Sequence, residues 1–342
     1  MQGIQNLLTF FMLVSVLPAC TTAEDDEYEE MADARNLAIT KADTAMANSI
    51  DFSQKTRLQY DEAIDFNINS ISRWMTQKQG EKSNQGADCY QNFLCQFRVD
   101  HTALDIMDME SRQHFATITL NSLGSAYHCN NADFSNTFYE ETDAFPLLYS
   151  SHQGKSARCI LVDRIYKDGN EYRMETIQRI EVPFEIDDPL QYTPDAILDK
   201  DNHFLYVYTG NTIPITDFYI YKFRLPSIHE GEVVRLTKKD AVSCWTINDS
   251  PSYYKQGGMI KDNVLYIMEG VPGWNTDNIL RVIDLNREGY KLINLSKALN
   301  SNWEPEDIFI FNNNFFIASN RAGIYKLELD TNASAGIVSP RL

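Results

Sequence analysis

From about Cys89 to residue 330 the chain alternates short aromatic-apolar runs with turns rich in Asp and Asn. Runs of this length, alternating or continuously apolar and bounded by such turns, predict strands rather than helices. A unit recurs: a polar turn, an apolar strand, a longer loop, then two further strands. KDNHFLYVYTGN (200–211) leads to FYIYKFRL (218–225) and GEVVRLT (231–237), and KDNVLYIMEG (261–270) leads to ILRVIDL (279–285) and YKLINLS (290–296). FNNNFFIASN (311–320) leads to AGIYKLELD (322–330). Earlier, AFPLLYSS (144–151) leads to ARCILVDRIY (157–166) and METIQRIEV (174–182), and NFLCQFR (92–98) leads to ALDIMDM (103–109) and HFATITL (114–120).

The runs FLYV, VLYI and FFIA read as the inner strands of these units, and roughly 50–60 residues separate them, the spacing of propeller blades. Units of three or four short strands bury both faces only by stacking around an axis. The pattern therefore predicts an all-β chain folded as a five-bladed β-propeller, with a sixth blade if one hides near residues 240–256. A β-sandwich is the competing architecture.

The first eighty residues read differently. LLTFFMLVSVL (7–17) is an uncharged apolar run of eleven, too short to span a bilayer but matched to the core of a secretory signal. No Lys or Arg precedes it. Leu17 and Ala19 before Cys20 resemble a bacterial lipobox, which implies cleavage after residue 19 and a lipid on Cys20. An acid cluster and the Ala-rich ARNLAITKADTAMANSI follow, then the polar QKQGEKSNQG. The division expected is a signal peptide over 1–19, a lipidated and partly helical tether over 20–82, and a propeller over 83–335. Asp43-Thr44-Ala45 resembles the short O-glycosylation signal of Bacteroidetes lipoproteins.

Composition narrows the partners. Hydrophobic residues make up 43% of the 342 residues, enough for a sizeable core, and the aromatic share of 12% favours pleated surfaces. The net charge of −18 argues against nucleic acid, whose phosphates the chain would repel. Beyond Cys20 five cysteines remain, an odd number without metal-ligand spacing. Cys89 and Cys95 either close a short disulfide loop or are buried free thiols, and the pairing among Cys89, Cys95, Cys129, Cys159 and Cys244 is open at this point. No metal and no cofactor is expected, because no nucleotide, metal or nucleophile motif occurs.

Three polar clusters interrupt the apolar rhythm just ahead of the expected inner strands: Tyr127-His128-Cys129-Asn130-Asn131, Lys255-Gln256-Gly257-Gly258 and Trp303-Glu304-Pro305-Glu306-Asp307. In a propeller such groups converge on one axial pocket. Amide, imidazole and carboxylate groups there suit a hydroxyl-rich ligand, and the glycines permit close backbone approach. The alternative is that the same residues tie neighbouring blades together. Trp274, in VPGWNTDN, is a candidate platform for stacking on a sugar face. Glu304 and Glu306 share a face if the segment is extended, which would pair two carboxylates for acid–base chemistry.

The succession HCNN, FPLLYSS, CILVDRI, DKDNHFLYVYTG, QGGMIKDNVLYIMEG and EPEDIFIFNNNFFIA resembles a family of propeller lipoproteins from Bacteroidetes. It is distantly similar to teichoic-acid-biosynthesis and phage receptor-binding propellers. The resemblance covers residues 89–330 and implies a glycan ligand, with His128, Asn131, Gln256 and Glu306 in the pocket. Cys129 stands where the related pattern carries glycine. In such lipoproteins, acids soon after the lipidated cysteine resemble the signal for export to the outer face of the outer membrane. Three functions follow as expectations: a surface-anchored module that binds a glycan, a glycan hydrolase or lyase using Glu304, Glu306 and His128, or a scaffold for another envelope protein.

Overall fold

The structure is a computed structural model, and it describes residues 55–76, 84–121, 128–153, 159–182, 194–209, 217–248, 254–271, 276–299, 303–321 and 323–330. Cys20, the signal segment and the Asp43-Thr44-Ala45 site lie outside these residues.

The strands form five antiparallel sheets, each a blade. Blade 1 runs Asn84–Tyr90, Phe93–Arg98, Ala103–Asp108 and Gln113–Thr119 from the axis outward. Blade 2 begins at His128–Phe134 and continues through Leu148–Gln153, Cys159–Asp168 and Glu171–Glu181. Blade 3 comprises Pro194–Asp199, Phe204–Thr209, Asp217–Arg224 and Ala241–Asn248. Blade 4 comprises Lys255–Lys261, Val264–Glu269, Ile279–Asp284 and Gly289–Asn294. Blade 5 comprises Pro305–Phe311, Asn314–Ser319 and Gly323–Leu329, and its fourth strand is Ile68–Met75.

Five apolar cores, one between each pair of successive blades, close the ring. Phe97 and Leu104 of blade 1 meet Phe134 and Leu148 of blade 2, and Val162 of blade 2 meets Leu198 and Val207 of blade 3. Tyr206 and Ile220 meet Leu265 and Ile283 of blade 4, Met268 and Leu280 meet Ile317 of blade 5, and Phe309 and Phe316 return to Leu94 of blade 1. Each middle strand serves two cores. In FLYVYT, Leu205 and Val207 face blade 2 while Tyr206 and Tyr208 face blade 4. That is why these runs are apolar without polar alternation. The polar turns before them are tight: Asp262-Asn263 and Asn312-Asn313 have positive φ at both residues, the two-residue hairpin geometry that favours Asn and Asp.

Three expectations are corrected. FLYV, VLYI and FFIA are second strands. The innermost strands are the polar segments before them, where bulky residues would crowd the axis. GEVVRLT does not complete blade 3; Val233–Arg235 adds in parallel to the outer edge of blade 2. The outer strand of blade 3 is Ala241–Asn248, in the segment that could have held a sixth blade.

The N-terminal boundary also moves. Thr56–Arg57 and Gln59–Tyr60 add in parallel to blades 3 and 4, and Ile68–Met75 pairs antiparallel with Gly323–Leu329. Residues 56–75, expected in the tether, therefore belong to the propeller. Leu58, Ile64, Phe66 and Met75 are buried in it, and Arg287 holds Asp61 at 2.7 Å. Joining Ile68–Met75 and Gly323–Leu329 in one blade closes the ring.

Between blades 3 and 4 lies a buried ion triad. Glu269 accepts from Lys255 at 2.9 Å and from Arg281 at 2.6 Å. Burial pushes the Glu269 carboxyl up, but Arg281 and Lys255 outweigh it and hold the group below its ordinary value. The five cysteines among the described residues are free and buried, and Cys89 and Cys95 are not joined.

Candidate functional site

Four of the five innermost strands carry a β-bulge at the same level, near their first residues. The register slips between Asn84 and Ala87, Cys129 and Asn131, Lys255 and Gly258, and Pro305 and Asp307. A bulge re-aims side chains and marks functional edges of propellers and barrels alike. Here it presents Gln85, Asn130, Gln256 and Glu306 at corresponding positions, with Asp195 beside Asn130 in the unbulged strand of blade 3. Close approach is built in. A Cβ on Gly257 would lie 2.4 Å from the Asp307 carboxyl and 2.7 Å from the Asn130 carbonyl oxygen, so only glycine fits there.

Immediately below this level, polar side chains stitch the blades together. Asn131 donates through Nδ2 to Asp133 at 2.8 Å and to Ala196 O at 2.5 Å, and its Oδ1 accepts from Gly258 N at 3.0 Å. Asp307 Oδ2 accepts from Ala87 N at 2.8 Å and Ala132 N at 3.2 Å. Asp88 accepts from Phe134 N and Asp133 from Leu198 N, each linking one blade to the next. Asn131, expected to face the ligand, has its amide engaged by protein partners on blades 2, 3 and 4.

At the bulge level, Gln85 Nε2 donates to Glu306 Oε1 at 3.3 Å, and Asn130 Nδ2 donates to Asp195 Oδ2 at 3.4 Å and Lys255 O at 3.3 Å. Glu306 is 0% exposed and Gln256 5%. Burial first, and the like charge of Glu304 second, hold the Glu306 carboxyl well above the ordinary carboxylate range. Asn320 donates to Glu304 Oε2 at 2.8 Å. Glu306 Oε2 is buried without a hydrogen-bond partner. Glu304 stands half-buried at the strand's start, and Glu306 is fully buried.

Two residues earlier stands a half-buried rim: His128 on blade 2, Tyr254 on blade 4 and Glu304 on blade 5. Tyr254 and Glu304 are matched by their ladder bonds, Gly270 N to Tyr254 O at 2.7 Å and Asn320 N to Glu304 O at 3.0 Å. Tyr254 was not among the sequence candidates, since nothing in SPSYYKQGG singles it out until its strand is placed. Trp274 lies outside the described residues.

A cleft of about 610 Å³ lies between blades 5 and 1. Asn84, next to Gln85, lines it together with Gln96, Arg98, Asp105 and His114. Asn84 donates to Gln96 Oε1 at 3.0 Å. Arg98 grips Asp105 at 2.6 and 2.7 Å, and Thr117 donates to the same carboxylate at 2.6 Å. The walls are preorganised hydrogen-bonding groups whose orientations are fixed by partners on blade 1. A second cleft, about 760 Å³, flanks blade 1 on its other side, lined by Phe115, Tyr166, Tyr172 and Arg173.

No protein-family model matches the chain, and no curated protein matches its sequence. Among solved structures it is similar to the glutaminyl cyclase of Myxococcus xanthus, at 12% identity and a TM-score of 0.47 over 81% of this chain and 99% of that one. It is also similar to the PQQ-bound aldose sugar dehydrogenase of Streptomyces coelicolor, at 10% identity and a TM-score of 0.44 over 76% of this chain and 98% of that one. At such identities the likeness concerns the fold alone.

Proposed function

We propose that this propeller is a binding module for a polyhydroxylated ligand, an oligosaccharide in the first instance, carried on the bacterial envelope by a lipid on Cys20. The observation that carries the reading is the polar cleft between blades 5 and 1, which reaches the innermost strand of blade 1 at Asn84. Its amides, its Arg98–Asp105 pair and His114 offer donors and acceptors of the kind sugar hydroxyls need. Tyr254 supplies an aromatic face at the rim, the role expected of Trp274. The resemblance to glycan-binding receptor propellers favours the same ligand class, and the charge of −18 disfavours polyanionic glycans.

Hydrolysis by Glu304 and Glu306 is the weaker reading. Acid and base of a glycosidase stand roughly 5–9.5 Å apart with the scissile bond between them. Here Glu306 is fully buried and its Oε1 accepts from Gln85 at 3.3 Å, which closes it to a sugar linkage. A glycan array probed with the purified protein, paired with turnover assays on the same glycans, separates the two. Binding without turnover supports the module, and turnover abolished by Glu306→Gln in a folded protein supports the hydrolase. Metabolic labelling with a fatty acid tests the anchor: label is expected on the native protein and absent from Cys20→Ser. Protease shaving of intact cells then tests exposure at the outer face.

A further inference from the structure

Residues that bridge blades which are not neighbours must cross the axis. Asn130 does so, reaching from blade 2 to the main chain of Lys255 on blade 4. Its amide N–H2 is spent on Lys255 O and on Asp195, which leaves the amide oxygen. That oxygen is buried and has no hydrogen-bond partner, in a side chain 1% exposed. Gln85 repeats the arrangement from blade 1: its N–H2 goes to Glu306, and its Oε1 is buried without a partner, again at 1% exposure. Buried polar atoms are nearly always satisfied, and each orphan costs about 1–3 kcal/mol. Two orphans at one level of one axis, both acceptors, point to a missing group that attracts oxygen.

The charge around that level has the matching sign. Asp195 and Glu306 face the two amides, and Asp307 and Asp133 lie one step below. Lys255, bound to Glu269 at 2.9 Å, also lies in the field of Asp195, and Lys200 lies in that of Asp133. Carboxylate and amide oxygens with main-chain carbonyls form the donor set of a hard cation, and calcium takes six to eight of them at variable geometry. We propose that the bulge ring of the propeller binds a calcium ion, with Gln85 Oε1, Asn130 Oδ1 and the carboxylates of Asp195 and Glu306 as its side-chain ligands. The ligands come one from each of four blades, so no sequence motif could announce them. The site lies beneath the rim and does not depend on what the rim binds.

The test uses the whole protein stripped with EDTA, dialysed, and titrated with CaCl₂ at constant ionic strength, with MgCl₂ in parallel. Thermal unfolding and calorimetry are the readouts. The expected result is a saturable calcium-dependent rise in the unfolding midpoint, with calcium affinity at least tenfold above magnesium. Asn130→Ala and Gln85→Met should each lose at least tenfold in calcium affinity. Gln85→Met conserves volume while deleting the oxygen, and keeps the test valid if Asn130→Ala does not fold. A midpoint unmoved by calcium, an equal response to magnesium, or a calcium response retained in Gln85→Met would overturn the proposal and leave buried water as the occupant.

Discussion

The Asp307 carboxylate on the last blade accepts the main-chain N–H of Ala87 on the first at 2.8 Å, and the same oxygen accepts from Ala132 on the second at 3.2 Å. One buried side chain thus fastens three blades where the ring closes. Its other oxygen takes the N–H of Ile308 at 2.8 Å. Removing it orphans three buried donors, at about 1–3 kcal/mol each. Asp307→Ala should therefore lower stability by at least about 3 kcal/mol in urea unfolding, against a change within about 0.5 kcal/mol for a surface control such as Glu288→Ala. Equal midpoints for the two variants would remove Asp307 from the closure.

Asp163 makes a pH prediction whose sign is definite. Burial pushes its carboxyl up to about 7, against hydrogen bonds from Thr176 and Ser150 that pull it down. The folded protein therefore holds this proton more tightly than the unfolded chain. The group's contribution is complete below its ordinary value of 3.8 and is lost as pH rises toward 7, a difference of about 4 kcal/mol. Buried His101 runs the other way: burial lowers it to about 4, so its contribution is lost as pH falls from 6.5 toward that value. In Asp163→Asn the fall in stability between pH 4.5 and 7.5 should shrink by a few kcal/mol. Parallel stability curves for variant and wild type would contradict the assignment.

The strap of residues 56–75 makes the boundary testable. It buries Leu58, Ile64, Phe66 and Met75, each worth about 1.5–3 kcal/mol, together comparable to the whole stability of a typical domain. A chain beginning at residue 55 should unfold cooperatively with a midpoint within a few degrees of the full protein. A chain beginning at residue 77 should show no cooperative transition. Cooperative unfolding of the shorter chain would return the strap to the tether.

The blades were legible because their middle strands are buried on both faces, and residues such as Leu205 and Tyr206 leave continuous apolar runs. The innermost strands were not, since Asn84-Gln85-Gly86 and Lys255-Gln256-Gly257-Gly258 pack main chain against main chain at the axis. Such segments carry little hydropathy and read as loops. Ile68–Met75 was hidden for a different reason: its partner begins at Gly323, and a local pattern cannot reveal a pairing across the whole chain. Among the site residues, His128, Gln256, Glu304 and Glu306 do gather at one end of the axis. Asn131 belongs to the stitching beneath, and Gln85, Asn130, Asp195 and Tyr254 emerge only once the strands are aligned.

The most direct test of the binding reading is calorimetric titration of the protein with the oligosaccharide that binds best on an array. Wild type is compared with Tyr254→Ala and Glu304→Ala at the rim and with Arg173→Ala in the cleft on the far side of blade 1. The rim variants should lose at least tenfold in affinity with unfolding midpoints unchanged, while Arg173→Ala binds as wild type does. Wild-type protein that binds no oligosaccharide, or rim variants that bind undiminished, would contradict the account.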